Sequence, residues 1–78
     1  MNWIERVLGR TRGELLGLLR RSRRSINDLA EALGITDNAV RTHVAAMQRD
    51  GMVQPAGVER STGGKPAQLY EITREAEE

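Results

Sequence analysis

Two short apolar patterns separated by one glycine constrain this chain more than any other feature of its sequence. The first pattern has the i, i+3, i+4, i+7 spacing of a helix face, in Ile26, Leu29, Ala30 and Leu33. Gly34 follows at once and can take the left-handed backbone that ends a helix. Thr36 is the N-cap of the next predicted helix, so very few residues separate the two. We therefore expect two helices joined by a sharp turn.

Cap signals at both helices support this interpretation. Ser25 and Asp28 form a capping box before the first helix, and Ile35 with Val40 can form a hydrophobic staple around the second. The second helix continues its apolar face through Val40, Val44 and Met47, and Gly51 stops it. The alternative is an ordinary antiparallel helix pair, which would not need so short a turn. The spacing predicts a helix-turn-helix unit over residues 25–50.

The first 21 residues predict two further helices. Asn2 to Gly9 is a short helix whose apolar residues fall on one face, namely Trp3, Ile4, Val7 and Leu8. Thr11 and Glu14 form a second capping box, which predicts a separate helix from Arg12 to Arg21. The short first helix, residues 1–10, either packs on the core or forms a dimer face, and we favour the dimer because symmetric dimers are the commonest oligomers.

Residues 52–73 predict a β-hairpin. Met52, Val53 and Val58 form one strand, and Pro55 indicates that it is an edge strand or carries a bulge. The tip at residues 61–66 is rich in turn residues, and residues 69–73 return as the second strand. The predicted fold class is mainly α with a β-hairpin: a three-helix core, a two-stranded hairpin and an extra short N-terminal helix, all in one domain of 78 residues.

Composition excludes several classes of function. The chain has no cysteine and one histidine, so thiolate metal sites and iron–sulfur clusters are excluded, and we expect no metal and no cofactor. No nucleophile–base pair or cofactor loop is visible, which argues against an enzyme. No stretch has the length or apolarity of a membrane span, and the N-terminus lacks a secretory pattern. A cytoplasmic location fits these features.

The second helix of such a unit lies in the major groove of DNA and meets base edges with its N-terminal residues. Its face opposite the apolar stripe carries Asn38, Arg41, Thr42 and Ala45. Asparagine can bond adenine, arginine can bond guanine, and threonine or alanine can touch a thymine methyl. For Asn38 a role in the first helical turn is an equal alternative. For Arg41 and Thr42 we favour base contacts over solvated surface positions.

Other residues are candidates for the DNA backbone. Thr36 and Ser25 stand at helix starts, where free N–H groups suit a phosphate. Arg60 and Lys65 flank the glycine-rich tip, which can lie on the backbone or in a minor groove, or can be a mobile turn only. His43 lies at the rim of the apolar face, where packing and a phosphate contact are both open. The arginine run of residues 20–24 is interpreted as a loop, either solvated or near phosphates.

The order of elements and two stretches of sequence resemble the winged helix-turn-helix of bacterial transcription regulators. Residues 29–44, followed by Asp50-Gly51-Met52-Val53, are similar to the ArsR-like and related MarR- and DeoR-like groups. Gly64-Lys65-Pro66-Ala67 with Leu69-Tyr70-Glu71-Ile72-Thr73 resembles the wing of one subset. The resemblance implies DNA contacts by Asn38, Arg41, Thr42 and His43 and by Lys65 of the wing.

These observations predict a sequence-specific regulator of transcription, a repressor, that binds double-stranded DNA as a homodimer. Its recognition helix, residues 37–50, would enter the major groove, and its wing, residues 60–66, would lie on the backbone or in the minor groove. The alternative is a winged-helix module that binds another protein through the apolar N-terminal helix or the hairpin, without direct DNA contact.

Overall fold

Helices and a small antiparallel sheet alternate along the chain in the computed structural model, which describes residues 3–60 and 65–77, with side chains from Arg6 onward. The elements of these ranges are α1 (Trp3–Arg21), β1 (Arg24–Ser25), α2 (Ile26–Leu33), α3 (Asp37–Arg49), β2 (Val53–Glu59), β3 (Ala67–Ile72) and α4 (Arg74–Glu77). The strand order is β1-β3-β2, and both pairings are antiparallel. Across the described residues, no helix has the length and apolarity needed to cross a bilayer.

The N-terminal segment is one helix, and the prediction of two helices was wrong. Helix α1 runs without a break from Trp3 to Arg21, so Thr11 lies inside it and is not an N-cap. Gly9 and Gly13 are exposed and each costs only about 1 kcal/mol in a helix interior, which is too little to end it. Leu8, Leu15 and Leu19 also keep one helical phase across the expected boundary. Residues 3–10 of the predicted short helix are therefore the start of a longer helix and no separate element, and residues 1 and 2 lie outside the described ranges.

The turn between α2 and α3 confirms the cap predictions. Ser25 Oγ accepts from the Asp28 N–H at 3.1 Å, and the Asp28 carboxylate accepts from the Ser25 N–H at 3.2 Å. Gly34 has φ +67°, and both its N–H and that of Ile35 donate to the Ala30 carbonyl. Thr36 Oγ1 accepts from the Ala39 N–H at 3.1 Å. The helix-turn-helix thus forms from local hydrogen bonds at both ends of a three-residue turn.

The sheet has three strands in the described chain, where the sequence predicted a two-stranded hairpin. The additional strand is β1, in which Arg24 pairs with Tyr70 and Ser25 with Leu69. Strand β1 is only two residues long and lies more than 40 residues from its partner strand β3 in the sequence, so no local sequence pattern predicts it. The arginine run of residues 20–24 was interpreted as a loop, which holds only for residues 22–23, because Arg20 and Arg21 end α1 and Arg24 begins β1.

The prediction drawn from Pro55 is confirmed. Strand β2 lies at the edge of the sheet, where β3 is its one partner among the described strands, and its register shifts between Pro55 and Val58. Proline has no N–H to donate to a ladder, which restricts it to such places.

The core lies where α1, α2, α3 and the sheet meet. Its largest fully buried side chains come from each of these layers: Leu15, Leu29, Val40, Met47 and Val53. Thr73 fastens the end of β3 to the turn after α3, because its Oγ1 donates to the Gly51 carbonyl at 2.7 Å and its N–H donates to Met52. The same Oγ1 accepts from the N–H of Ala76 in α4, a short helix that the sequence analysis did not predict.

A polar contact ties α1 to α3 across the edge of this core. His43 is only 7% exposed, and its Nδ1 accepts a hydrogen bond from Arg12 Nε at 3.3 Å. A histidine that accepts at Nδ1 carries its proton at Nε2 and is neutral. Burial, with the nearby Arg12 charge as the smaller cause, lowers the pKa of His43 below its ordinary value of 6.5.

This lowered pKa predicts a loss of stability in acid. As the pH falls below 6.5, the unfolded chain binds a proton at His43 before the folded chain does, so the free energy of unfolding decreases. The contribution of neutral His43 to the free energy of unfolding is complete above pH 6.5 and is lost as the pH falls towards the folded-state pKa. Between pH 8 and pH 5, the free energy of unfolding measured with urea should therefore fall more steeply for the wild type than for H43Q. Glutamine keeps a hydrogen-bond acceptor but does not titrate. Parallel curves for the two proteins would contradict the assignment.

Candidate nucleic-acid interface

The outward face of α3 presents the four side chains that the sequence assigned to base contacts. Asn38, Arg41, Thr42 and Ala45 are all exposed, while Val40, Val44 and Met47 on the opposite face are buried. One side of α3 is therefore fully committed to the core, and the other is free along three turns. Asn38, Arg41 and Thr42 lie in the N-terminal half of the thirteen residues of α3, the part of a recognition helix that meets base edges, and Ala45 follows one turn later.

Local hydrogen bonds orient two threonines at this surface. Thr42 Oγ1 donates to the Asn38 carbonyl one turn earlier, at 3.1 Å. With its hydroxyl bound to its own helix, Thr42 has its methyl group left for apolar contact. Thr36 is exposed, but its Oγ1 is already the acceptor for the Ala39 N–H. What Thr36 adds to the surface is thus mainly the start of α3, whose first N–H groups have no partner within the helix.

A cleft opens between the beginnings of α2 and α3 and the sheet. It brings together side chains from three separate parts of the chain, and its lining consists of Ser25, Ile26, Asn27, Asp37, Arg41, Lys65, Pro66, Ala67, Gln68 and Tyr70. Arg41 of α3 and Lys65 of the hairpin, 24 residues apart in sequence, are the two cations of this lining. Arg41 makes no ion pair with a carboxylate of the described chain. The cleft thus carries positive charge from two elements beside one carboxylate, that of Asp37, and cations of this kind are what contacts a phosphate backbone.

Ser25 and His43 are less accessible than the sequence analysis expected for DNA contacts. Ser25 is 6% exposed, and its Oγ and N–H are both used in the capping box with Asp28. His43 is buried, with its Nδ1 bonded to Arg12, so the structure favours the packing role that was the open alternative. Neither side chain stands beside Arg41 on the outward face of α3.

The remaining candidates lie beside the hairpin tip and on the first half of α1. Arg60 and Lys65 are exposed on either side of the hairpin tip, and residues 61–64 between them lie outside the described ranges. Val7 and Leu8 are 52% and 41% exposed on the first half of α1. The side chains of Trp3 and Ile4, predicted to share that face, lie outside the described set.

Sequence reasoning missed Asn27 and Gln68 as members of the cleft. Asn27 is exposed in the first turn of α2, and Gln68 comes from β3, so only the fold brings them next to Arg41. A partial signal existed for Gln68, because strand alternation puts it on the same face as Tyr70 and Ile72. Asp37, in the first turn of α3, also lines the cleft.

The arginines that follow α1 are used largely within the protein. Arg24 Nε donates to the Leu18 carbonyl at 3.2 Å, near the end of α1, where a cation is favourable. Arg23 forms an ion pair with Glu71 at 3.3 Å and is also within 3.5 Å of the Ala56 carbonyl. No group of three or more side chains suited to hold a metal ion occurs among the residues that the structure describes.

Solved structures of two bacterial proteins are similar to this chain. The adhesin competence repressor AdcR of Streptococcus pyogenes superposes with a TM-score of 0.72 at 27% identity, over 85% of this chain and 47% of that chain. ZitR of Lactococcus lactis in complex with DNA gives a TM-score of 0.70 at 24% identity, over 85% and 43% of the two chains. The present chain thus spans about half the length of these proteins. No curated protein sequence matches it significantly.

A family profile described as winged helix-turn-helix DNA-binding matches residues 8–54. The match includes most of α1, the whole helix-turn-helix and the first residues of β2, which is more than half of the 78 residues. The hairpin of β2 and β3 that follows supplies the wing. This chain belongs to the winged helix-turn-helix DNA-binding family.

Proposed function

We propose that this chain is a sequence-specific regulator of transcription that binds double-stranded DNA and acts as a repressor in the cytoplasm. The observation that carries the proposal is the cleft in which Arg41 of the recognition helix and Lys65 of the wing converge. A major-groove helix and a backbone-binding wing need such a pair of cations on one concave surface. The proposal assigns the protein no catalytic activity and no cofactor.

The specific part of the interaction belongs to the outward face of α3. Arg41 is exposed and free of carboxylate partners in the described chain, so it can donate to O6 and N7 of guanine. Asn38 lies one turn nearer the helix start and is suited to adenine. Thr42, with its hydroxyl bound to the Asn38 carbonyl, offers its methyl group to thymine, and Ala45 extends that apolar contact.

The backbone part of the interaction belongs to helix starts and the wing. Thr36 begins α3, and its helix N-terminus favours a phosphate. Arg60 and Lys65 flank the wing tip, which we propose lies along the backbone or in the minor groove. Ser25 contributes through the start of α2 at the edge of the cleft, with its side chain kept for the cap. We assign His43 to packing.

The proposed assembly is a homodimer formed through the N-terminal half of α1. Val7 and Leu8 extend an apolar surface beyond the part of α1 that packs on the core, and all described side chains from Arg6 to Arg10 are exposed. Two copies would place two recognition helices on two half-sites, which raises specificity. The name of AdcR, a repressor, supports the repressing role, and the ZitR–DNA complex supports DNA as the partner. Membership of the ArsR-like group stays a prediction.

Replacing Arg41 by alanine tests the assigned function. We expect R41A to weaken binding to the preferred site, selected from a pool of genomic fragments, by about tenfold or more, because a base contact is lost. Binding to bulk DNA should weaken less. The matched control is R74A, which removes the same charge from exposed α4 and should bind within about twofold of wild type, as expected for a distant surface charge. Fluorescence anisotropy at one fixed salt concentration measures all three.

Two results would count against the proposal. Failure of the wild type to enrich any fragment over bulk DNA at moderate salt would remove sequence-specific binding altogether. An equal loss of DNA affinity in R41A and R74A would show that the recognition helix does not contact DNA through Arg41, and it would favour the protein-binding module instead.

Placing a charge on the apolar half of α1 tests the dimer. We expect wild type to sediment as a dimer and L8D to sediment as a monomer, because an aspartate buried in an apolar interface would be unpaired. M52D is the matched control, since Met52 is 39% exposed and Leu8 41%, and it should leave the dimer intact. Sedimentation velocity distinguishes the states. A monomeric wild type, or a dimer that survives in L8D, would contradict this arrangement.

A further inference from the structure

The edge strand of the wing changes register halfway along its length. Pro55 is opposite Tyr70, and the next pair along the strands is Val58 with Gln68. Two residues of β2, Ala56 and Gly57, therefore lie opposite the single residue Leu69 of β3. This is a β-bulge, which bends its strand and interrupts the ladder of hydrogen bonds. Gly57 has φ +103°, a backbone conformation that side-chain-bearing residues rarely take. Beyond the bulge, two pairs of described residues join the strands, Val58–Gln68 and Glu59–Ala67.

The side chain of Gln68 bridges the interrupted ladder. Its Nε2 donates to the Gly57 carbonyl at 2.7 Å and to the Leu69 carbonyl at 2.8 Å. A side-chain amide has two N–H donors, so this geometry uses both. One acceptor lies in β2 and the other in β3, hence Gln68 joins the two strands at the bulge. The bulge angle therefore depends on one exposed side chain as well as on Gly57.

Gln68 also stands at the site that the wing serves. It lines the cleft with Arg41 and Lys65, and it is three residues beyond Lys65 in the chain. A change in the angle at the bulge would move the outer wing, and with it Lys65, relative to α3. The neighbouring glutamine Gln54 is different: its Nε2 donates to Glu71 at 2.7 Å, on the body side of the bulge.

We propose that Gln68 is a positioning residue for DNA binding. By holding the bulge carbonyls it sets the direction of the outer wing so that Lys65 reaches the phosphate backbone while α3 occupies the major groove. The inference rests on the proposed function, because it concerns how the wing contacts DNA. It assigns Gln68 an effect on affinity that acts through Lys65, without a DNA contact of its own.

The experiment compares Q68M, K65A and the double variant with wild type in DNA binding at several salt concentrations. Methionine keeps the length of glutamine and removes both donors. Loss of one phosphate contact lowers the slope of log K against log salt by about 0.9. We expect the slope to fall by about 0.9 in each single variant. In the double variant the slope should fall by no more than it does in one single variant, because both changes remove the same phosphate contact. The control Q54M, the same change below the bulge, should keep the wild-type slope.

A second measurement follows the wing without DNA. Amide hydrogen exchange should increase in Q68M at residues 57–59 and 67–69 and remain unchanged in α2 and α3. This readout separates a local change at the bulge from general destabilisation of the domain.

The possible failures are distinguishable. If the wild type binds normally, two results would overturn this inference alone. The first is an unchanged salt slope in Q68M. The second is a double variant whose fall in slope equals the sum of those in K65A and Q68M. Unchanged amide exchange at the bulge in Q68M would overturn it as well. Absence of specific binding by the wild type would overturn the proposed function and this inference together.

Discussion

The left-handed turn at Gly34 is the constraint on which the rest of the interface depends. Its φ of +67° lets the chain leave α2 and begin α3 within three residues, with the Ala30 carbonyl accepting from the N–H groups of Gly34 and Ile35. Val40, Val44 and Met47 are then directed into the core. Because one face of α3 is buried in this way, the face that carries Arg41 has only one direction left, away from the domain and beside the wing.

The sheet connects this helix to the wing. Strand β3 lies between β1, which leads directly into the cap of α2, and β2, which follows α3. Thr73 holds the end of β3 against the turn after α3 through Gly51 and Met52. The base of the wing is therefore fastened to both helices of the helix-turn-helix. Only the outer part, beyond the bulge, has few strand contacts, and there Gln68 and Gly57 carry the geometry.

Short sequence patterns correctly predicted the features that hydrogen bonds between nearby residues stabilise. The caps at Ser25 and Thr36, the turn at Gly34 and the irregular edge strand at Pro55 all follow from residues within a few positions of each other, and all are present. The unbroken α1 was missed because Thr11 and Glu14 have the spacing of a capping box, which indicates a helix start, although the helical phase continues from Leu8 to Leu19. Partners distant in sequence were beyond such reasoning: β1 pairs across more than 40 residues, and Arg12 and His43 are 31 apart. The candidate site was predictable along α3 and at Lys65, whereas Asn27 and Gln68 join it only through the fold.

Chemical footprinting of the bound DNA tests the central claim, that α3 reads the major groove through Arg41. Dimethyl sulfate methylates guanine N7 in the major groove and adenine N3 in the minor groove, so one reaction reports on both. We expect wild type to protect guanine N7 within the selected site and R41A to lose this protection at a saturating protein concentration. Protection confined to adenine N3, or guanine protection that is unchanged in R41A, would contradict it.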